Sequence, residues 1–246
     1  MRFDMSFTSP WMLGVAATIV ISVIALLMFR QRRRRRRALE RVADELGFTF
    51  IPDGDGTLAA RLARSPLFPK QGVTAGGRLR TTTYEPGDLL RGKVTNLIIE
   101  VFEFSSCIRT HKIGGDNRSI SWHSAVLFQF SGPPLPAFEV EPKTWFHLHK
   151  FLGTPTGSHS IAFDLRPSFS SKYTLRGDDE TSILRIFNDD VINYFEAEPR
   201  WITMGGQNHL LFHAPGRVIP PELIRSTVEN GIRLLTLLGR LEPGEV

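Results

Sequence analysis

The chain has 246 residues and a net charge of +5, from 30 basic and 25 acidic residues. Residues 1–37 hold eight arginines and a single acid, so the remaining 209 residues carry 22 basic and 24 acidic groups, a net charge of −2. Because a nucleic-acid-binding domain carries its basic patch on its folded part, we expect no nucleic-acid partner. A single cysteine, Cys107, excludes an internal disulfide and fits a reducing compartment.

Residues 11–29 form an uncharged apolar stretch, WMLGVAATIVISVIALLMF. As an α-helix, 19 residues span about 28 Å, which matches the hydrocarbon core of a bilayer. In lipid a helix satisfies every backbone polar group within its own segment. The sequence therefore predicts one transmembrane helix over 11–29, preceded by a short N-terminus over 1–10.

A basic juxtamembrane stretch, residues 30–37, follows this helix directly. Its seven arginines are Arg30, Arg32, Arg33, Arg34, Arg35, Arg36 and Arg37. The positive-inside bias predicts that the N-terminus lies outside and everything after residue 30 lies in the cytoplasm. A cleaved signal peptide has its basic residues before the apolar run, so we expect an uncleaved signal-anchor. We also expect the seven arginines to contact the membrane surface through anionic lipid head groups.

The next segment has helical periodicity, with apolar side chains at Leu39, Val42, Ala43 and Leu46. Gly47 is placed to end this helix in a left-handed turn. No helix breaker lies between Phe29 and Leu46. The sequence therefore predicts that the membrane helix continues unbroken into the domain that follows.

From residue 79 the apolar pattern changes to a period of two, which is typical of strands. We expect a strand up to residue 83, a turn at 85–88, a central strand over 93–104 and a returning strand over 119–130. Residues 138–140 complete the pattern as an edge strand. This segment predicts three or four antiparallel strands.

The second half mixes strands and helices. Asp178 or Asp179 is placed to cap a helix, and Gly177 just before it suggests a reversal that needs a positive φ. A hairpin is expected over 201–213, followed by a final helix from Pro220. We therefore predict an α+β fold: a mainly antiparallel sheet covered by helices over residues 38–246, as one domain or as two subdomains that meet near 142–145.

This layout resembles a family of bacterial, single-span, membrane-anchored proteins of unknown function that carry a basic juxtamembrane stretch. The resemblance rests on short segments of this sequence: Leu46-Gly47-Phe48, Phe169-Ser170-Ser171-Lys172-Tyr173, Leu175-Arg176-Gly177, Asp179-Glu180, and Leu210-Leu211-Phe212 ahead of Pro220. It covers most of residues 38–240. Since the family has no established activity, the resemblance implies an architecture and no functional residue.

Candidate chemistry is sparse, because the sequence has no phosphate-binding loop, dinucleotide fingerprint, nucleophile elbow or zinc-binding motif. Two histidine pairs have same-face spacing on a strand, His147 with His149 and His209 with His213. A group of five carboxylates is a further candidate for Mg²⁺ or acid–base chemistry: Asp178, Asp179, Glu180, Asp189 and Asp190. Helix capping explains most of these acids. We therefore assign no catalytic residue, no metal site and no cofactor.

The sequence favours a membrane-tethered cytoplasmic interaction or scaffold module, without enzymatic activity, at a bacterial inner membrane. Its expected partners are the bilayer with its anionic head groups and an unidentified protein. The alternative is a membrane-associated hydrolase that uses an acidic or histidine-containing pocket. A deep pocket that gathers charged and histidine side chains favours the enzyme, whereas a shallow apolar patch favours the module.

Overall fold

The structure is a computed structural model, and it describes residues 10–58, 60, 71–73, 79–110, 117–143, 159–161, 166–197, 201–214 and 216–242. It begins with helix α1 (Pro10–Leu46), 37 residues long. Within the described residues, this is the one helix long and apolar enough to cross a membrane, by length and composition. Its apolar part is exposed, and none of the rest of the chain that the structure describes buries it. At about 1.5 Å per residue α1 is about 55 Å long, so roughly half its length remains beyond a bilayer core.

The helix ends as the sequence predicts. Gly47 has φ +67°, its N–H donates to the Asp44 carbonyl at 3.2 Å, and the Phe48 N–H donates to the Ala43 carbonyl at 2.7 Å. This pair of hydrogen bonds satisfies carbonyls that the helix leaves without partners. Helix α1 therefore runs without interruption from the apolar segment into the folded domain.

Within the described residues, the following strands and helices come after α1. The strands are β1 (Thr49–Ile51), β2 (Gln71–Val73), β3 (Leu79–Val94), β4 (Leu97–Thr110), β5 (Asn117–Phe130), β6 (Leu135–Pro142), β7 (His159–Ile161), β8 (Tyr173–Gly177), β9 (Ile202–Gln207) and β10 (His209–Ala214). The helices are α2 (Pro167–Lys172), α3 (Glu180–Ile186), α4 (Asp189–Ala197) and α5 (Pro221–Leu237). The predicted α+β class, with an antiparallel sheet and covering helices, is confirmed.

All ten strands belong to one antiparallel sheet, ordered β1-β3-β4-β5-β10-β9-β6-β8-β7, with β2 also paired to β3. Four of these strands, β3 to β6, come from the segment for which three or four antiparallel strands were predicted, and the others come from outside it. The strand predicted over 138–140 is present within β6, but its predicted position at an edge is wrong, because β6 lies between β9 and β8. Strands β5 and β6 precede residues 142–145 in the chain, whereas β9 and β10 follow them. Because β9 and β10 lie between β5 and β6, strands from the two halves of the chain alternate in this sheet.

The predicted turn at 85–88 is also wrong. Strand β3 passes through these residues and stays paired with β4, and a shift of register between Pro86 and Leu89 absorbs them. A proline has no N–H to donate to the ladder, and an irregularity of this kind accommodates it. The chain instead reverses at Thr95 and Asn96, where Thr95 has φ +49°.

The sheet buries both of its faces. Helices α1 and α5 cover the larger core, where Val101, Phe128 and Phe212 are buried with Leu39 of α1. The opposite face carries a smaller core of alternating residues that includes Phe102, Phe104 and Leu211.

Gly177, the last residue of β8, is not among the glycines with positive φ, so the conformation predicted for it is wrong. The reason for a glycine here is steric. A Cβ at this position would lie 2.1 Å from the Ile183 Cδ1 and 2.7 Å from the Ala137 carbonyl oxygen.

Candidate functional site at the base of the anchor helix

A groove of about 760 Å³ lies where α1 meets the sheet. Met28, Phe29, Arg32 and Arg35 line it from the helix. The sheet side contributes Asp88, Glu103 and Trp122, and Val218 adds an apolar contact. The groove therefore joins the end of the apolar segment, the basic stretch and a set of carboxylates in one place.

Arg35 is the centre of this junction. Its Nε donates to the Glu103 Oε1 at 2.9 Å, its Nη2 also contacts that carboxylate, and Nη2 donates to the Ile219 carbonyl at 2.8 Å. Burial raises the pKa of Glu103, and Arg35 opposes that rise. Arg35 thus ties α1 both to strand β4 and to the segment before α5.

Two more arginines on the same side of α1 contact the turn after β1 and the bulge in β3. The Arg36 Nη2 lies 2.9 Å from the Asp88 Oδ1 and also contacts Asp53. The Arg32 Nη2 lies 2.6 Å from the Asp53 Oδ1. The hydrogen bond from Arg36 lowers the pKa of Asp53. Asp88 in turn accepts the Asp53 N–H at 2.9 Å. The three arginines form an ion-pair network that we call the arginine clamp: Arg32, Arg35 and Arg36 with Asp53, Asp88 and Glu103.

The other four arginines of the basic stretch, Arg30, Arg33, Arg34 and Arg37, are exposed. The Arg33 guanidinium lies 4.4 Å from the centre of the Phe29 ring. The structure thus divides the seven arginines between the domain and the solvent. Their contact with anionic head groups stays a prediction.

The described residues contain one of the two histidine pairs, and that pair does not form the site that its spacing suggested. His147 and His149 lie outside the described residues. His209 is exposed at the start of β10 and His213 is buried near its end, so about 13 Å of strand separates them. No group of three histidine, cysteine or acidic side chains within the described ranges could hold a metal ion.

His213 instead lies beside His123 of β5, with 5.5 Å between their ring centres. The Nδ1 of His123 accepts the Gly216 N–H at 2.8 Å, and the Nε2 of His123 lies 2.7 Å from the Ser106 Oγ. Burial lowers the pKa of His123 to about 4, so the ring is neutral at pH 7.

This hydrogen bonding decides the chemistry of the pair. Because Nδ1 accepts from a backbone N–H, the neutral ring carries its proton on Nε2 and donates to Ser106. A histidine that activates a serine must accept the hydroxyl proton at that nitrogen. Ser106 is also fully buried. The arrangement therefore satisfies buried polar groups and does not suit a nucleophile with its base.

Within the acidic group, Asp179 is a helix cap and Asp189 forms an ion pair. The Asp179 side chain accepts the Ser182 N–H at 3.0 Å, which confirms the predicted cap of α3. Asn188 accepts the Val191 N–H at 3.0 Å in the same way at α4, while Asp189 pairs with Arg166.

Strands β6 and β8 carry a buried charge cluster that was not predicted from the sequence. The Arg176 Nη1 lies 2.8 Å from the Glu141 Oε2 and 4.0 Å from the Glu139 Oε2. Burial raises the pKa of Glu139 to about 7, with Glu141 adding to the rise and Arg176 opposing it. Apolar Phe138 and Val140 alternate with Glu139 and Glu141 along one strand. This alternation is the sequence signal that both carboxylates share a face.

Comparison with known proteins gives a fold and no family. No family model matches the chain, and no curated protein matches it. The crystal structure of the mycobacterial trehalose monomycolate transport factor A, TtfA, is similar, with a TM-score of 0.52 at 14% sequence identity, over 86% of this chain and 98% of that chain. At this identity the similarity shows a shared fold.

Proposed function

We propose that this chain is a single-pass protein of a bacterial inner membrane whose cytoplasmic domain is a non-enzymatic interaction or scaffold module. The observation that carries the proposal is the continuity of α1, from an uncovered apolar segment into a clamp of ion pairs on the domain. A helix fixed in this way holds the domain at a set distance from the bilayer. That is useful to a protein that presents a surface to membrane partners.

The neighbouring fold supports the same class of function. TtfA is named as a transport factor for trehalose monomycolate. We propose by analogy that this chain is an accessory protein of a membrane assembly. The bacterial single-span family that it resembles fits the same proposal.

Cross-linking followed by affinity capture from a detergent extract tests the module. The full chain is compared with a fragment of residues 1–37, which keeps the anchor and loses the domain. We expect the full chain to capture a defined membrane protein, and that protein used as bait to capture the chain in return. If both baits give the same set of proteins, the domain is not an interaction module.

Cysteine labelling tests the proposed orientation. In a Cys107→Ser background, a cysteine at Leu223, exposed on α5, should be blocked from an impermeant reagent in intact cells and react after lysis. A cysteine at Ser6 is the matched control and should react in intact cells. Labelling at position 223 without lysis contradicts a cytoplasmic domain, because the arginine run should not cross an energised membrane.

A membrane-associated hydrolase is the second candidate, and Glu139 is the observation that favours it. A buried carboxyl with a pKa of about 7 has the proton affinity of a general acid or base. If Glu139→Gln abolishes a cellular phenotype while the protein stays folded and still captures its partners, the enzyme is favoured over the module.

A further inference from the structure

The second half of strand β5 is paired on both sides, whereas its first half is paired on one side. Strand β10 pairs with β5 from Gln129 to Ser124, where β10 ends. Strand β4 continues to pair with β5 as far as Asn117. Among the residues that the structure describes, no strand lies along the other side of 117–123. We call this part of β5 the free edge.

The backbone of the free edge turns hydrogen-bonding groups to the open side at every second residue. The Ser124 N–H donates to the Arg217 carbonyl at 2.9 Å, on the side where β10 lies. Because backbone groups alternate in direction along a strand, Trp122, Ile120 and Arg118 turn their N–H and C=O groups to that same side. These are the groups with which an added strand can pair.

The same three residues also share a side-chain face, because they are two positions apart. Ile120 is 55% exposed and Trp122 is 52% exposed, and Arg118 is exposed as well. Trp122 also lines the groove at the base of α1, beside Val218. An exposed apolar edge favours pairing with another chain. The free edge therefore offers a new strand both backbone partners and apolar contacts.

The charge of the free edge is positive. Arg118 lies opposite Arg109 across the ladder, and both are exposed. The Arg118 Nε donates to the Cys107 sulfur at 3.0 Å, and within the described ranges neither arginine pairs with an acid. Like charges placed opposite one another destabilise a strand pair, and an acidic side chain beside them relieves the repulsion. Residues 117–123 contain no acid, so the free edge of a second copy does not supply one.

We propose that an extended peptide of a partner protein adds to the sheet along the free edge. Its backbone pairs with β5, and every second side chain lies on the face of Trp122, Ile120 and Arg118. Apolar side chains contact Trp122 and Ile120, and an acidic side chain contacts Arg118. The peptide motif is therefore two apolar residues and one acid at alternate positions. This inference names the surface of the interaction module, and it rests on that proposed function.

Peptide display tests the motif on the full chain in nanodiscs. A random library of short peptides is selected against the full chain, and nanodiscs that carry only residues 1–37 remove peptides that bind the anchor or the lipid. We expect the selected peptides to share the alternating motif with its acid. Selection of no peptide, or of peptides without that motif, overturns the inference.

Two substitutions at Ile120 separate the backbone from the side chain. Ile120→Ala and Ile120→Pro both remove the apolar side chain, but only proline also removes the N–H that faces the open side. An edge strand tolerates proline where its N–H faces solvent, and melting of the two variants checks that both are folded. We expect a selected peptide to bind Ile120→Pro about ten-fold more weakly than Ile120→Ala, because one hydrogen bond is lost. Equal affinities contradict strand addition.

Arg118→Glu tests the charge and leaves the backbone unchanged. Peptides selected against this variant should carry lysine or arginine in place of the acid, at the same position of the motif. If they keep the acid, the proposed contact with Arg118 is wrong. This result decides the inference by itself if Ile120→Pro melts earlier than Ile120→Ala.

Affinity capture separates this inference from the proposed function. If Ile120→Pro captures the same membrane protein as the wild-type chain, the module stands and the role of the free edge is wrong. If the wild-type chain captures nothing beyond what residues 1–37 capture, the module fails and the inference fails with it. If light scattering shows a wild-type dimer and an Ile120→Pro monomer, a second copy covers the free edge and the proposed peptide is wrong.

Discussion

Arg35→Met should test whether the arginine clamp stabilises the domain. Arg35 is 28% exposed and Glu103 is 14% exposed, so the substitution leaves a largely buried carboxylate without its cation. Removing one partner of a buried ion pair costs about 3–5 kcal/mol. Because solvent reaches part of this pair, we expect a loss of about 2–3 kcal/mol in the free energy of unfolding, or about 5–10 °C in melting temperature for a chain of this size.

The pH dependence should identify Glu103 as the cause. Its pKa is already raised by burial and should rise further without Arg35. A carboxyl whose pKa is higher in the folded state than in the unfolded state adds stability as the pH falls through that pKa. The deficit of Arg35→Met relative to wild type should therefore shrink on acidification.

The assay is thermal unfolding of the full chain in detergent micelles across a range of pH. The double variant Arg35→Met with Glu103→Gln should recover part of the loss and lose its pH dependence. Arg34→Met is the control, since Arg34 is exposed and its loss should leave the melting temperature unchanged. If Arg35→Met melts like Arg34→Met, or if the double variant is no more stable than the single one at neutral pH, the clamp does not stabilise the domain in this way.

Three other predictions concern single features of the domain. Asp179→Ala should lower the melting temperature by a few degrees, whereas Asp179→Asn should not, because asparagine still caps a helix; equal melting of both variants contradicts the capping role. Glu139→Gln should raise the free energy of unfolding by roughly 3 kcal/mol at pH 8 and change it little near pH 4, as denaturant unfolding at the two pH values measures. The reason is that a pKa of about 7 makes ionisation of Glu139 destabilising in the folded state. A fragment of residues 38–246 should unfold more readily than one of residues 30–246, because only the longer one keeps the clamp; equal midpoints would exclude a role for it.

The ends of α1 and α3 follow from local chemistry and were predicted. Gly47 ends α1 because only the residues beside it determine the cap. Asp179 caps α3 for the same reason. The alternation over 119–130 gave β5 nearly in full, since a strand with two different faces carries a period of two.

The sheet and its charges depend on contacts distant in sequence. Strand β10 pairs with β5, about 85 residues earlier in the chain, and no local pattern specifies that partner. The bulge near Pro86 looks like a turn in sequence, because a turn and a bulge use the same residue types. Glu103 and Arg35 are 68 residues apart, so their pairing could not be predicted from either segment.

Helix geometry divides the arginine run into two sides. At about 100° per residue, Arg32, Arg35 and Arg36 fall within one arc of about 100° on α1, and the four other arginines fall within a similar arc on the opposite side. The first arc contacts the carboxylates of the domain, and the second is exposed. Seven lysines would carry the same charge and predict the same topology. The contacts of Arg35 nevertheless require a guanidinium, because two of its nitrogens engage a carboxylate while one also reaches a backbone carbonyl, and a single ammonium cannot reproduce that fork. The proposed topology therefore requires only the charge of this segment, whereas the fit to Glu103 and Ile219 accounts for arginine at position 35.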